Sequence, residues 1–135
     1  LYSITIKMVK KIKIYKNFDI LSKHQNSILL IGNFDGLHAG HQKLFNFAKK
    51  YKKEKKLKIG VITFDPIPKM FFNKKLKNYR ISNLNQKIKY FSNYNIDFLI
   101  IKKFNKKFSK IKCFNFINQI LYKKIKSKYI FVSNN

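Results

Sequence analysis

The chain has 135 residues, 45% hydrophobic and 16% aromatic, with 31 basic against 5 acidic side chains and a formal net charge of +26. This is the length of one domain with enough apolar mass for a packed core. No apolar run approaches the roughly 18 to 20 residues of a membrane span, so no membrane role is expected. The single cysteine, Cys113, excludes an internal disulfide and fits a reducing, cytoplasmic setting.

The opening stretch, LYSITIKMVKKIKIY, alternates apolar and basic residues without a continuous apolar segment. No signal peptide is expected, and Met8 is a candidate start. KIKIY (11–15) reads as an extended piece at a sheet edge. His24 has no partner in the nearby sequence and is expected at the surface. SILLIGNF (27–34) reads as a buried strand. Residues 41–53 keep a helical period that puts Leu44, Phe47, Ala48 and Tyr51 on one face. LKIGVITF (57–64) is a second strand, followed by a loop with Pro66 and Pro68, since proline does not continue a central strand. Ser82 is placed to cap a helix bearing Leu84, Ile88 and Phe91. DFLIIK (97–102) is a third core strand and KYIFVS (128–133) a fourth. Between them Phe116, Ile117, Ile120 and Leu121 mark a helix. Cys113 is expected there as a helix residue, with no base assignable that would make it a nucleophile.

Alternation of helices with wholly apolar strands predicts an α/β fold, a Rossmann-like parallel sheet with helices on both faces. Ligands of such sheets bind beyond the carboxyl ends of the strands, at the switch point. The segments 32–42, 64–72 and the one after Val132 are therefore expected on one rim. The sequence stops at Asn135 as the last strand reaches that rim, so the fold is expected to be incomplete there.

The charge has two readings. One is an anionic partner such as nucleic acid. The other is compositional drift: Arg80 is the one arginine, and Asn, Ile, Phe and Tyr are abundant beside the lysines. Nucleic-acid readers cluster their charge and use arginine for bidentate contacts, whereas these lysines run along the whole chain, densest in KKYKKEKKLK (49–58). Drift is the favoured reading.

The stretch GNFDGLHAGHQ (32–42) contains three of the four glycines and no lysine. Strand, glycine-containing loop and helix together offer backbone N–H groups and a positive dipole end to a phosphate. Gly40 permits close approach of a ligand, and Gly32 and Gly36 permit sharp loop geometry. His38 and His41 are spaced to face one anion and to stabilise charge developing in phosphoryl or nucleotidyl transfer. A metal site is the rival, but no cysteine or carboxylate cluster nearby completes a zinc set around the two histidines and Asp35. From spacing alone, histidines that merely pack or solvate a turn remain equally admissible.

The same stretch resembles the HxGH signature of the nucleotidylyltransferase superfamily, and GNFDG with Gln42 resembles the bacterial FAD synthetases. VITFDPIPKMFF (61–72) is similar to that family's TF(D/E)PHP segment, and YRISNLNQKIKYF (79–91) to its arginine-led helix entry. NIDFLIIKKF (95–104), FINQIL (116–121) and YIFVSNN (129–135) resemble the later strand, the helix and the start of a VVG-x-(N/D)-F-x-F-G motif. The likeness runs in order from about residue 12. HxGH alone is a weak signal, since cytidylyltransferases and class I aminoacyl-tRNA synthetases share it; the ordered set is specific.

The resemblance implies FMN adenylyl transfer, in which FMN and ATP give FAD and pyrophosphate, with Mg²⁺ accompanying ATP. It implies a nucleotidylyltransferase domain over residues 8–135, incomplete at its C-terminus and without the riboflavin kinase domain that usually follows. By the same analogy His38 and His41 are catalytic and hold the ATP phosphates. Gly32, Asn33, Phe34, Gly40 and Arg80 complete the ATP side, and Phe64, Asp65 and Asn135 face FMN or the metal. The chain departs from the family at Ile67 (usually His), at Ser133 (usually Gly) and at Lys112 (usually Ser or Thr). The alternatives are a non-catalytic remnant of that domain, a cytidylyltransferase, and a basic nucleic-acid-binding protein supported by charge alone.

Overall fold

The computed structural model describes residue 3 and residues 11–35, 39–75 and 83–133. Runs of branched and aromatic residues form five strands: β1 (Lys13–Tyr15), β2 (Ile28–Ile31), β3 (Ile59–Phe64), β4 (Phe98–Lys102) and β5 (Tyr129–Val132). They lie in the order β1–β4–β3–β2–β5, and every pairing is parallel. KIKIY does supply the edge strand, and the two-sided parallel fold expected from the alternation is present.

Strand periodicity sorts the core into two layers. Ile28, Leu30, Ile59, Val61 and Leu99 point to one face, where α1 (Ala39–Lys55) and α3 (Leu84–Ser92) cover them with Phe45, Ala48 and Phe91. Leu29, Ile31, Ile62, Phe98 and Ile100 point to the other, against Leu121 and Ile125. That second layer is carried by α5 (Cys113–Asn115), which runs directly into a π-helix over Phe116–Lys124. Two short helices, α2 (Pro68–Phe72) and α4 (Lys106–Ser109), follow β3 and β4.

Four expectations are corrected. On α1, Leu44, Ala48 and Tyr51 do pack against the core, joined there by His41 and Phe45, while Phe47 of the expected face is 48% exposed and lies against Tyr51 and Phe131. Phe131 of β5 offers the aromatic flank that holds Phe47 at the margin. Phe116, Ile120 and Leu121 join the second layer as expected, but Ile117 is 49% exposed. The wider π turn, with Ile125 N–H on the Ile120 carbonyl, aligns residues five apart rather than four. Asn83, not Ser82, caps α3: its side chain accepts from Gln86 N–H while the Gln86 side chain accepts from Asn83 N–H. Ser82 itself lies outside the described residues.

The fourth correction concerns His24, which is buried rather than at the surface. Its ring stacks on Phe98 at 4.7 Å between centroids, and its Nδ1 meets the Tyr15 hydroxyl. Leu21 N–H donates to that hydroxyl oxygen at 3.2 Å, so the phenol ties His24 to the backbone just before it. At the amino-terminal rim, buried Asp97 ties three elements together. Its Oδ2 accepts from Ile59 N–H at 2.8 Å and from Lys52 Nζ at 2.9 Å, joining the starts of β3 and β4 to the end of α1.

Candidate functional site

The chain runs from β2 outward through β3 and β4, then returns to β5 on the other side of β2. The switch point of the sheet is therefore the carboxyl end of the β2–β5 pair, where Ile31 stands opposite Val132. Gly32 leaves β2 at that point, its N–H bonded to the Ile62 carbonyl at 3.1 Å, and Ser133 N–H bonds the Ile31 carbonyl at 2.9 Å. A side chain at Gly32 would run into Ser133, with a Cβ only 2.7 Å from the serine Cβ. Here glycine is required for close approach. Ser133, the departure from the family's glycine, is the residue it faces.

The next residues form a held turn. Phe34 has a left-handed backbone (φ 49°) and a fully buried ring. That conformation is costly for a bulky residue and persists only where packing enforces it. The packing comes from His41 and Phe45 of α1, each with its ring centroid 5.3 Å away, and from Phe91 of α3 at 5.8 Å. One position earlier, the Asn33 carbonyl accepts from Lys87 Nζ at 2.7 Å and from Thr63 Oγ1 at 3.2 Å. Asp35 closes the turn at the rim.

The first turn of α1, with Gly40 exposed and no acidic residue, faces the same rim. Its positive dipole end suits an anion. His41 is 2% exposed, its ring edge-on to Phe34, so packing holds its orientation beneath the turn. His38, Arg80 and Asn135 lie outside the described residues, as does Gly36. Behind Phe45, Tyr90 and Tyr94 extend the aromatic group. Burial, then the hydrogen bond and charge of Tyr94, push the Tyr90 hydroxyl up from its ordinary value.

The segment after β3 forms the other wall. Asp65 N–H bonds the Lys102 carbonyl at 3.1 Å, which fixes the exit of β3 to that of β4. The Asp65–Pro66 bond is cis, and Ile67, where the family usually has histidine, is buried as the residue before α2. An apolar residue is what that covered position accepts. Phe64, Phe71 and Phe72 surround Phe104 with ring centroids 5.2 to 5.9 Å apart, and Phe72 is 71% exposed. Lys112 is the N-cap of α5 and makes no side-chain cap bond.

Of the residues singled out in the sequence, the fold brings Gly32, Asn33, Phe34, Gly40 and His41 together beside the switch point. Phe64 and Asp65 stand on the same rim, after β3. Sequence reasoning missed Lys87, Phe45 and Thr63. The stripe Lys87–Phe91, four apart on α3, was a visible signal for Lys87, but one lysine among 30 carries no mark of burial in sequence.

A family profile for FAD synthetase matches residues 20–135. The bifunctional riboflavin kinase/FMN adenylyltransferase of Buchnera aphidicola subsp. Acyrthosiphon pisum is 40% identical over 111 residues, covering 82% of this chain and 36% of that protein. The protein of the same name from Escherichia coli K12 is 28% identical, covering 82% and 35%, and that of Bacillus subtilis is 33% identical, covering 76% and 33%. The chain thus spans about a third of the length of the curated relatives it matches. A solved structure, described as a macrolide-efflux protein from Streptococcus pneumoniae, aligns with a TM-score of 0.72 at 25% identity, covering 93% of this chain and 41% of that one. No helix among the described residues is long and apolar enough to cross a membrane.

Proposed function

Because this chain belongs to the FAD synthetase family, we propose that it carries FMN adenylyltransferase activity, joining the AMP of ATP to FMN. The observation that carries this reading is the glycine-tight turn at the switch point, Gly32 on Ser133, with the start of α1 beside it. In the reaction a phosphate oxygen of FMN attacks the α-phosphorus of ATP in line. The bond from that phosphorus to the bridging oxygen breaks, and pyrophosphate leaves with the electron pair. No covalent bond to the protein is needed, so the protein's part is positioning and charge stabilisation.

In this reading Gly32, Asn33, Phe34 and Gly40 shape the ATP side, and His38, His41 and Arg80 meet its phosphates. Phe64, Asp65 and Asn135 belong to the FMN side, where the exposed face of Phe72 offers a stacking surface to a flat ring. Mg²⁺ enters with ATP as part of the substrate. Asp35 and Asp65 are the two of the five acidic residues that follow β2 and β3 on this rim. That sparse carboxylate set fits an ion held mostly by phosphates and water.

The test is to supply FMN and MgATP to the full gene product and follow FAD and pyrophosphate together. Stoichiometric appearance of both supports the reading. Absence of FAD from a folded, ATP-binding protein favours the non-catalytic remnant, and a preference for CTP over ATP would move it to the cytidylyltransferases.

A further inference from the structure

The densest lysine run of the sequence folds around a concave surface. Lys49, Lys52, Lys53 and Lys56 recur at i, i+3, i+4 and i+7, which sets them on one side of the end of α1. With Lys58 they line a hollow of about 510 Å³, completed by Leu57 and Asn95. It lies where β3 and β4 begin, on the rim opposite the candidate site. Among the described residues that line it there is no acidic, arginine or aromatic side chain.

Two contacts fix the arrangement. Lys52 Nζ donates to the Asn95 carbonyl and to Asp97 Oδ2, each at 2.9 Å. Its ammonium is thereby held at the hollow, with two of its three protons committed. Lys56 has left-handed backbone (φ 54°), and Leu57 N–H bonds the Lys52 carbonyl at 3.3 Å. Such a helix-ending turn usually carries glycine, so a lysine there is kept at a steric cost. Like charges four apart on a helix repel as well, at Lys49 with Lys53 and at Lys52 with Lys56. A bound polyanion would relieve that repulsion.

We propose that this hollow binds a compact polyphosphate group, free or as the tail of a nucleotide. Ammonium groups act on phosphate oxygens as point charges. With no aromatic ring in the lining to stack a base, recognition falls on the phosphates alone. The proposal is independent of the adenylyl-transfer reading, because the two sites lie at opposite ends of the strands.

Tripolyphosphate, ATP and adenosine are titrated into the isotopically labelled full gene product, following the amide signals of Leu57 and Asn95. These signals report the hollow and not the candidate ATP site. Tripolyphosphate and ATP should shift them with similar affinity, and adenosine should not. Changing Lys49→Gln together with Lys53→Gln should weaken tripolyphosphate at these signals about tenfold, the scale of two partly exposed ion pairs. Lys50→Gln with Lys55→Gln removes the same charge from exposed positions of the same helix that do not line the hollow. That control pair should weaken binding less than about threefold. Should the first pair fail to fold, Lys49→Gln and Lys50→Gln are compared singly, with about a threefold difference expected. The proposal is overturned if the two signals do not move, if lining and control variants lose affinity equally, or if adenosine alone shifts them. It is also overturned if a single-stranded oligonucleotide shifts them at lower concentration than tripolyphosphate, which would make the surface a nucleic-acid groove. These shifts without FAD formation would sustain the hollow and count against the adenylyl-transfer reading alone.

Discussion

Gly32 and Ser133 meet where β2 and β5 end, so closely that one of the two positions must lack a side chain. A Cβ on Gly32 would stand 2.7 Å from that of Ser133 and 3.2 Å from the Phe34 ring. Ser133 cannot easily retreat, because its N–H is bonded to the Ile31 carbonyl. Gly32→Ala should therefore destabilise the fold by about 1–3 kcal/mol, the usual cost of overpacking. Adding Ser133→Gly should recover much of that loss. Urea denaturation of the two single variants and the double variant reads the coupling directly; strictly additive effects would contradict the contact.

Phe34 combines a fully buried ring with a backbone that favours glycine. Phe34→Ala should cost about 3–5 kcal/mol through the cavity left among His41, Phe45 and Phe91. Phe34→Gly loses the same ring but relieves the left-handed strain, so it should be the more stable of the two by about 1 kcal/mol. Chemical denaturation of both variants decides the order, and an alanine variant more stable than the glycine one refutes the strain.

Tyr15 and His24 form a buried relay that needs both partners. Tyr15→Phe strands the Leu21 N–H and the His24 Nδ1 together, and should cost about 1–3 kcal/mol. His24→Phe in that background should add less than it does alone, because the lost hydrogen bond is counted only once. Melting temperatures of the four proteins in the cycle provide the measurement.

Phe72 is exposed yet stands in a ring cluster around Phe104 at the rim. If this surface receives the flat ring of FMN, Phe72→Ala should raise KM for FMN by about five- to a hundredfold, the worth of one stacking face. Stability should change by less than about 0.5 kcal/mol. Steady-state kinetics with each substrate varied in turn separates this from a general loss of activity.

The strands were legible because ILLI, IGVITF and FLIIK are apolar on both sides, which occurs where both sheet faces are covered. Glycines bunched after the first core strand marked the loop, and the order of matched segments marked the family. Helix orientation was less legible. Leu44, Ala48 and Tyr51 reach the core as their spacing implies, but Phe45 shares it and Phe47 does not, because Phe47 lies at the margin against Phe131 of β5. The π-helix accompanies the one departure on that face, exposed Ile117, while Phe116, Ile120 and Leu121 stay in the core.

By itself, then, the sequence determined the fold class and the family, because these depend on local patterns of polarity and on ordered motifs. The tertiary structure alone decided that His24 is buried, that Gly32 abuts Ser133 and that Lys87 lies under the Asn33 turn. Each of those facts joins residues far apart in the chain, His24 to Phe98, Gly32 to Ser133 and Lys87 to Asn33. Burial and charge at such places are set by what folds against them, which no single segment records.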